Sequence, residues 1–61
     1  MTKIQIREVT TARTAADLGM HDMAARIISA LIRCAMRQRD IAELRTIARD
    51  LGVTNHPDFI C

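Results

Sequence analysis

The apolar residues of the central segment, residues 22–38, are spread around most of a helix rather than along one side of it. At about 100° per residue, the polar side chains of this segment and of its end fall within an arc of about 80°. They are Asp22, Arg26, Ser29, Arg33, Arg37 and Asp40. A helix that is apolar over the rest of its circumference is usually interior, so residues 22–38 are predicted to form the central helix. Asp22 is of a residue type that favours the N-cap position, where such a helix would begin.

Two shorter helices are predicted on either side of the central one, over residues 10–18 and 40–51. In the second of them, apolar residues recur at spacings of three and four, the pattern of an amphipathic helix: Ile41, Leu44, Ala48 and Leu51. Both helices end on the same short sequence, Asp-Leu-Gly and then an apolar residue, with the glycine at Gly19 and Gly52. Glycine suits the left-handed backbone after a helix end, and the next apolar residue can fold back on the last turn.

The N-terminal residues, 1–9, are predicted to be extended. In residues 3–9, KIQIREV, polar and apolar positions alternate, which indicates a short strand with one buried face. A lone strand must find a neighbour for its backbone groups, either the same strand of a second copy or a partner protein. An extended arm without strand pairing fits the same residues, and both interpretations are open.

A chain of 61 residues has little material with which to surround a central helix. The other segments offer a short first helix, one apolar stripe and the tail, residues 52–61, in which Phe59 and Ile60 are expected to pack across the helices. This cover is judged insufficient, so the sequence predicts a homodimer whose central helices pack about a two-fold axis. The predicted dimer interface is Ile27, Ile28, Leu31, Ile32, Ala35 and Met36. A compact three-helix monomer with a few exposed Ile and Met side chains is the alternative.

The composition fits a single small domain over residues 1–61. Hydrophobic residues make up 49% of the chain and charged residues 26%, a balance typical of a globular rather than a disordered protein. The net charge of +2 permits an acidic partner without demanding one. No apolar run has the length of a signal peptide or a membrane span, and Cys34 and Cys61 do not make a disulfide framework. A cytoplasmic protein without a membrane partner is therefore expected.

Three arginines of the central helix form a candidate surface for a partner. Arg26, Arg33 and Arg37 occupy one side of the predicted helix, and the planar guanidinium pairs well with carboxylate or phosphate groups. An acidic protein surface or a backbone phosphate could bind there. The alternative is a solvated face that is partly satisfied by nearby carboxylates such as Asp22, four residues before Arg26.

Two weak patterns suggest DNA as an alternative partner. Residues 11–30 fit a helix-turn-helix loosely, with Ala15 where the helices meet, Gly19 in the turn, and Leu18, Met20, Ala25 and Ile28 at the buried positions. Residues 3–9 resemble the DNA-contacting strand of the ribbon-helix-helix class, in which Lys3, Gln5 and Arg7 would contact base edges. The segment up to Gly19 is about one turn too short for that class, and the third helix is extra.

No catalytic, metal-binding or cofactor-binding constellation is expected. His21, His56, Cys34 and Cys61 lack the close paired spacings of zinc sites, and no nucleophile, phosphate-binding loop or carboxylate pair stands out. The sequence therefore favours a small non-enzymatic regulatory or adaptor protein that acts as a homodimer by binding another protein. A DNA-binding transcriptional regulator is the second hypothesis.

Overall fold

The computed structural model describes residues 1–60 and shows a mainly α fold, with three helices in that part of the chain. The helices are α1 (Lys3–Asp17), α2 (His21–Cys34) and α3 (Gln38–Asp50). α2 packs against both α1 and α3, so the predicted central position of this segment is confirmed. The radius of gyration, 10.2 Å, is close to the value of about 10.5 Å expected of a globular domain this long. Cys61, to which the sequence assigned no role, lies outside the described residues.

The N-terminal residues form the first turns of α1, so the prediction of an extended arm or strand over residues 1–9 is wrong. Thr2 is the N-cap: its hydroxyl accepts a hydrogen bond from the backbone N–H of Gln5 at 3.2 Å. In return, the side-chain oxygen of Gln5 accepts from the N–H of Thr2 at 2.8 Å. This capping box satisfies two backbone donors of the first turn and fixes the start of the helix.

The packing of α1 against α2 decides against the strand. Val9, Ala12 and Ala15 are buried at a spacing of three residues, which is a helical stripe. Ile4 and Ile6, which the alternating pattern placed on a buried face, are both exposed. Two of the three buried residues are alanines, whose small side chains contribute little to a hydrophobic pattern, so the helical stripe was masked by the more conspicuous isoleucines.

The central helix is shorter than predicted, because α2 ends at Cys34 and not near residue 38. Its N-cap is Met20, which makes no side-chain capping bond, so the prediction that Asp22 caps this helix is wrong. Asp22 lies instead in the first turn, where its negative charge still interacts favourably with the helix dipole. Arg37, predicted on the central helix, is the N-cap of α3.

α3 begins at Gln38, two residues before the predicted start. Asp40, predicted to mark a boundary or kink, is buried in the first turn of this helix. The amino group of Met1 lies 3.3 Å from its carboxylate oxygen Oδ1, and this ion pair joins the start of the chain to the start of α3. The predicted amphipathic stripe of α3 is confirmed at its centre, where Leu44 and Ala48 are fully buried.

A single chain covers the apolar side of α2, contrary to the expectation that its cover would be insufficient. Ile28 is fully buried and Ile32 nearly so, in one cluster with residues of α1, α3 and the segment after α3. The cover comes from buried residues of α1, of α3 and of the segment after α3, namely Val9, Ala12, Ala15, Leu44, Ala48 and Val53, with Met1 and Phe59 packed against them. Burying one Ile side chain contributes about 1.5–3 kcal/mol, so these two contacts are a large part of the stability of so small a domain.

Both glycine-marked helix ends have the predicted geometry. Gly19 and Gly52 have φ angles of +83° and +72°, the left-handed region that glycine occupies without strain. At the first end, the N–H of Met20 donates to the carbonyl of Ala15 and that of Gly19 to Ala16. At the second end, the N–H of Val53 donates to the carbonyl of Ala48 and that of Gly52 to Arg49. Both ends are therefore Schellman motifs. The four distances are Met20–Ala15 2.8 Å, Gly19–Ala16 3.0 Å, Val53–Ala48 3.1 Å and Gly52–Arg49 3.1 Å.

The C-terminal tail folds back over α2, as predicted for its aromatic residue. Phe59 is partly buried against the core, whereas the side chain of Ile60 is exposed. The hydroxyl of Ser29 accepts from the backbone N–H of Ile60 at 2.8 Å and lies 2.9 Å from its carbonyl. Asp58 adds an ion pair to Arg26 at 3.4 Å. The tail is thus fixed to the middle of α2 by backbone, apolar and charged contacts. None of the helices within the described residues has the length and apolar character needed to cross a bilayer.

Candidate interaction surfaces

A shallow groove of about 270 Å³ lies where α1 turns into α2, and we call it the corner groove. Its lining comes from the last turns of α1, the connecting turn and the first turn of α2. The lining residues are Thr10, Thr11, Thr14, Ala15, Leu18, Met20 and Met23. No charged residue lines it, which sets this surface apart in a chain of which 26% is charged.

The three threonines of the groove present less polarity than their residue type suggests. Each hydroxyl donates to the backbone carbonyl four residues earlier: Thr10 to Ile6, Thr11 to Arg7 and Thr14 to Thr10, all at 3.1 Å. A hydroxyl that is engaged with the backbone in this way has its donor already satisfied. What these side chains then offer to a partner is mainly their γ-methyl groups, so this side of the groove is largely apolar.

Three large apolar side chains in the groove are open to solvent. Leu18 is 72% exposed, and Met20 and Met23 are 42% and 41% exposed. Single exposed apolar residues are ordinary, but a contiguous apolar patch on a protein surface often marks an interaction site. Methionine adds adaptability, because its unbranched, polarizable side chain can repack against differently shaped partners.

The predicted dimer interface is divided by the structure. Ile28 and Ile32 are buried within the single chain and are therefore not available to a second copy without opening the core. Ile27, Leu31 and Ala35 are partly buried against that core. Met36 is 95% exposed, but it lies beyond the end of α2 and is not on a common helix face with the others.

The predicted arginine stripe is also interrupted. Arg26 already forms ion pairs, at 3.7 Å with Asp22 and at 3.4 Å with Asp58. These pairs support the alternative in which Arg26 belongs to a solvated face that nearby carboxylates partly satisfy. Arg33 is exposed in the last turn of α2, whereas Arg37 belongs to the start of α3. The three guanidinium groups are therefore not arranged along one helix, as the partner-binding prediction assumed.

The structure agrees to different extents with the two patterns that suggested DNA binding. Lys3, Gln5 and Arg7 lie on a helix, so the strand on which the ribbon-helix-helix hypothesis depends is not formed there. Gln5 is moreover occupied by the capping box. Lys3 and Arg7 are exposed and four residues apart, which places them on one side of α1.

The structure has the connectivity of the helix-turn-helix hypothesis, but two of the four positions predicted to be buried, Leu18 and Met20, are exposed. α1 and α2 are joined by the short turn around Gly19, and Ala15, Ala25 and Ile28 are buried as that pattern requires. Leu18 and Met20, which were assigned to the interior of the motif, are exposed and line the corner groove. An apolar outer surface at the turn is more readily explained by a protein contact than by a phosphate backbone.

A second cavity, of about 490 Å³, lies at the opposite end of α1 and α2. It is lined by Met1, Thr2, Gln5, Cys34, Met36, Arg37 and Asp40. Its acidic group is already engaged with the amino group of Met1, and its glutamine with the capping box. Within the described residues, no group of three or more His, Cys, Asp or Glu side chains is arranged to hold a metal ion.

Comparisons with known proteins add no relative: the chain matches no protein-family model, no curated protein and no solved structure at a significant level.

Sequence reasoning missed the corner groove because it assigned the residues after both glycine-marked helix ends to the interior. The signal that could have separated the two ends is the type of segment that comes after each of them. Val53 precedes a tail with Pro57 and Phe59 that can fold back on it, whereas Met20 leads directly into the next helix. The first helix end therefore has no further segment to cover it.

Proposed function

We propose that this protein is a small non-enzymatic interaction module that binds another protein chain through the corner groove. The observation that carries the proposal is the exposure of Leu18, Met20 and Met23 in one groove without a charged lining residue. Removing such surface from water contributes about 25 cal/mol for each Å² buried, so an apolar partner surface would be stabilised there.

The shape of the groove favours a protein segment over a small metabolite. Pockets for small molecules are concave and enclose most of the ligand, with a few polar groups to orient it. The corner groove is shallow, and the hydroxyls of Thr10, Thr11 and Thr14 are engaged with their own helix. An apolar side chain that projects from a partner helix would fit this surface without needing polar recognition.

The homodimer and the cytoplasmic location expected from the sequence belong to the same proposal. Support for self-association now comes from the exposed groove rather than from the centre of α2, since Ile28 and Ile32 are covered within one chain. Support for a reducing compartment is the free, exposed thiol of Cys34.

The test is methyl NMR on protein labelled at its methionine methyl groups, because the methionines report on two different surfaces. Met20 and Met23 line the corner groove, whereas Met36 is 95% exposed at a distant position and serves as an internal control. The probe is a synthetic 20-residue amphipathic helix of Leu, Ala, Glu and Lys. It is titrated into the labelled protein at one protein concentration, which is chosen from a prior dilution series. Saturable shifts at Met20 and Met23, with Met36 unchanged, are expected. Equal shifts at all three residues, or none at any of them, would contradict the proposal.

A further inference from the structure

One line along the outside of α1 carries three exposed residues at a spacing of seven: Ile4, Thr11 and Leu18. Seven residues of an α-helix amount to two turns less about 20°, so these side chains lie nearly above one another. Ile4 is 71% exposed and Leu18 is 72% exposed, although both are large and apolar. We call this line the α1 seam.

The α1 seam is symmetric about Thr11. Ile4 and Leu18 stand seven residues before and after it, at opposite ends of a helix that is about 22 Å long. If two α1 helices packed antiparallel with Thr11 on the two-fold axis, Ile4 of each chain would lie opposite Leu18 of the other. Leu18 lines the corner groove, so the exposed Ile4 side chain of one chain would enter the groove of the other. The same chain thus carries both a projecting side chain and a groove to receive it.

We propose that the occupant of the corner groove is Ile4 of a second copy of this chain, in an antiparallel α1–α1 homodimer with Thr11 on the two-fold axis. The inference rests on the proposed function, which makes the corner groove a protein-binding surface, and it names the partner. An isologous interface of this kind contains each contact twice.

Three of the five charged residues of α1 match this arrangement, while Glu8 lies on the other flank of the helix and Arg13 on the side away from Thr11. Lys3 and Arg7 lie near its N-terminal end and Asp17 at its C-terminal end, all exposed and none in an ion pair within the described residues. With Thr11 on the axis, Lys3 lies opposite position 19 and Arg7 opposite position 15 of the second chain. Asp17 of that chain then falls between them along the helix axis and on the same flank, where the long side chain of Arg7 can reach toward it. A parallel pair would instead bring like charges together. Charge complementarity therefore selects the antiparallel orientation.

The same charges are placed unfavourably for an isolated α1. A helix is stabilised by acidic residues in its first turn and basic residues in its last turn. α1 has neither, whereas α2 has Asp22 and Arg33, and α3 has Asp40 and Arg49, in those turns. In an antiparallel dimer the reversed charges of α1 face opposite charges and the opposite helix end. The dimer thus offsets a cost that the single chain carries.

An interface along one short helix is small, so the dimer is expected to be weak and populated only at high protein concentration. Its first test is a disulfide across the two-fold axis, since a residue on that axis meets its own copy. Thr11→Cys is introduced into chains that carry Cys34→Ser and Cys61→Ser. Facing Cα atoms of closely packed helices lie about 4–5 Å apart, within the reach of a disulfide.

The matched control is Thr46→Cys in the same background. Thr46 is also an exposed mid-helix threonine, and its hydroxyl donates to the carbonyl of Ala42 at 3.0 Å, as that of Thr11 does to Arg7. At equal concentration and oxidant, Thr11→Cys is expected to form covalent dimer at least tenfold faster than Thr46→Cys. Equal rates would overturn the inference.

The second test exchanges charges and measures mass by sedimentation. Lys3→Glu with Arg7→Glu makes the exposed flank of α1 acidic, and Asp17→Lys makes it basic. Each variant alone is expected to dimerise at least tenfold more weakly than the parent, and an equimolar mixture is expected to recover dimer. Both changes improve the match between charge and helix dipole, so loss of folding is not a competing explanation.

Asp50→Lys is the control for the charge exchange, because Asp50 holds the equivalent position at the other glycine-marked helix end. It should leave dimerisation unchanged, and mixing it with the Lys3→Glu, Arg7→Glu variant should give no more dimer than the Asp50→Lys chains form by themselves. If the mixture with Asp17→Lys recovers no dimer, the inference is wrong. Should Met20 and Met23 still respond to the synthetic helix in that case, the proposed function stands and only the identity of the occupant is refuted.

Discussion

The two glycine-marked helix ends share a sequence and a backbone but differ in what surrounds them. Asp-Leu-Gly closes α1 and α3 with the same pair of capping hydrogen bonds. The apolar residue after the glycine is nevertheless 42% exposed at Met20 and fully buried at Val53. A local motif therefore sets where a helix stops, whereas burial of the next residue depends on which segments reach it.

The tail accounts for the difference. After Val53 the chain turns back through hydrogen bonds from His56 to Val53 and from Phe59 to His56, at 3.0 and 2.9 Å. Phe59 then packs against the core and Ile60 is held by Ser29. After Met20 the chain enters α2 at once, so no such cover forms and the corner groove remains open.

The largest expected effect comes from truncating the two equivalent apolar residues. Val53→Ala should lower the free energy of unfolding by about 2 kcal/mol, because it leaves a cavity in a fully packed site. Met20→Ala should change it by less than about 0.5 kcal/mol, since the side chain is half in solvent. Urea unfolding of both variants, monitored by circular dichroism, measures the two values. Similar losses would mean that the surroundings of the two ends are alike after all.

A smaller and equal effect is expected from the two glycines. Gly19→Ala and Gly52→Ala force an L-residue into the left-handed region, which costs about 1–2 kcal/mol. A β-carbon at either position meets no atom within 4 Å, so backbone strain is the whole cost and should be the same at both ends. The same urea experiment gives both values, and a difference greater than about 0.7 kcal/mol would contradict the equivalence of the two caps.

The smallest effect is expected from loosening the tail. Ser29→Ala removes the hydroxyl that bonds both the N–H and the carbonyl of Ile60, at a cost of about 1 kcal/mol. Hydrogen exchange should rise at the amides of Phe59 and Ile60 while that of Met20 stays the same, since the first end has no tail to lose. Thr46→Ala, which removes an exposed hydroxyl bonded within its own helix, is the control and should leave all three amides unchanged.

Much of the fold could be predicted from the sequence where the signal was local. The two Schellman ends were predicted from Gly19 and Gly52, and the buried stripe of α3 from Leu44 and Ala48. The central position of α2 was predicted from its broad apolar surface. These signals depend on backbone conformation and helical periodicity, which neighbouring residues along the chain largely determine.

The candidate site could not be predicted, because its residues look the same locally whether they are covered or not. Leu18 and Met20 match the pattern of a buried cap, and Thr10, Thr11 and Thr14 are weak helix formers. The capping box of Thr2 and Gln5 was overlooked beside the alternation of Ile4 and Ile6, which shifted the start of α1 by seven residues. Except for Val9, the residues added by that shift are not what covers α2, since none of residues 3–8 is buried. The cover was instead underestimated at residues such as Val9, Leu44 and Val53, which are buried around Ile28.

By itself, the sequence determined that the chain is mainly helical, that two of its helices end at glycine, and that its central segment is the most apolar. Only the tertiary structure decided that Ile28 and Ile32 are covered within one chain. It also decided that the apolar residue after the glycine is exposed at one of the two glycine-marked helix ends and buried at the other. The physical reason is that helix ends are set by short-range hydrogen bonds, whereas burial depends on contacts between residues far apart in the chain.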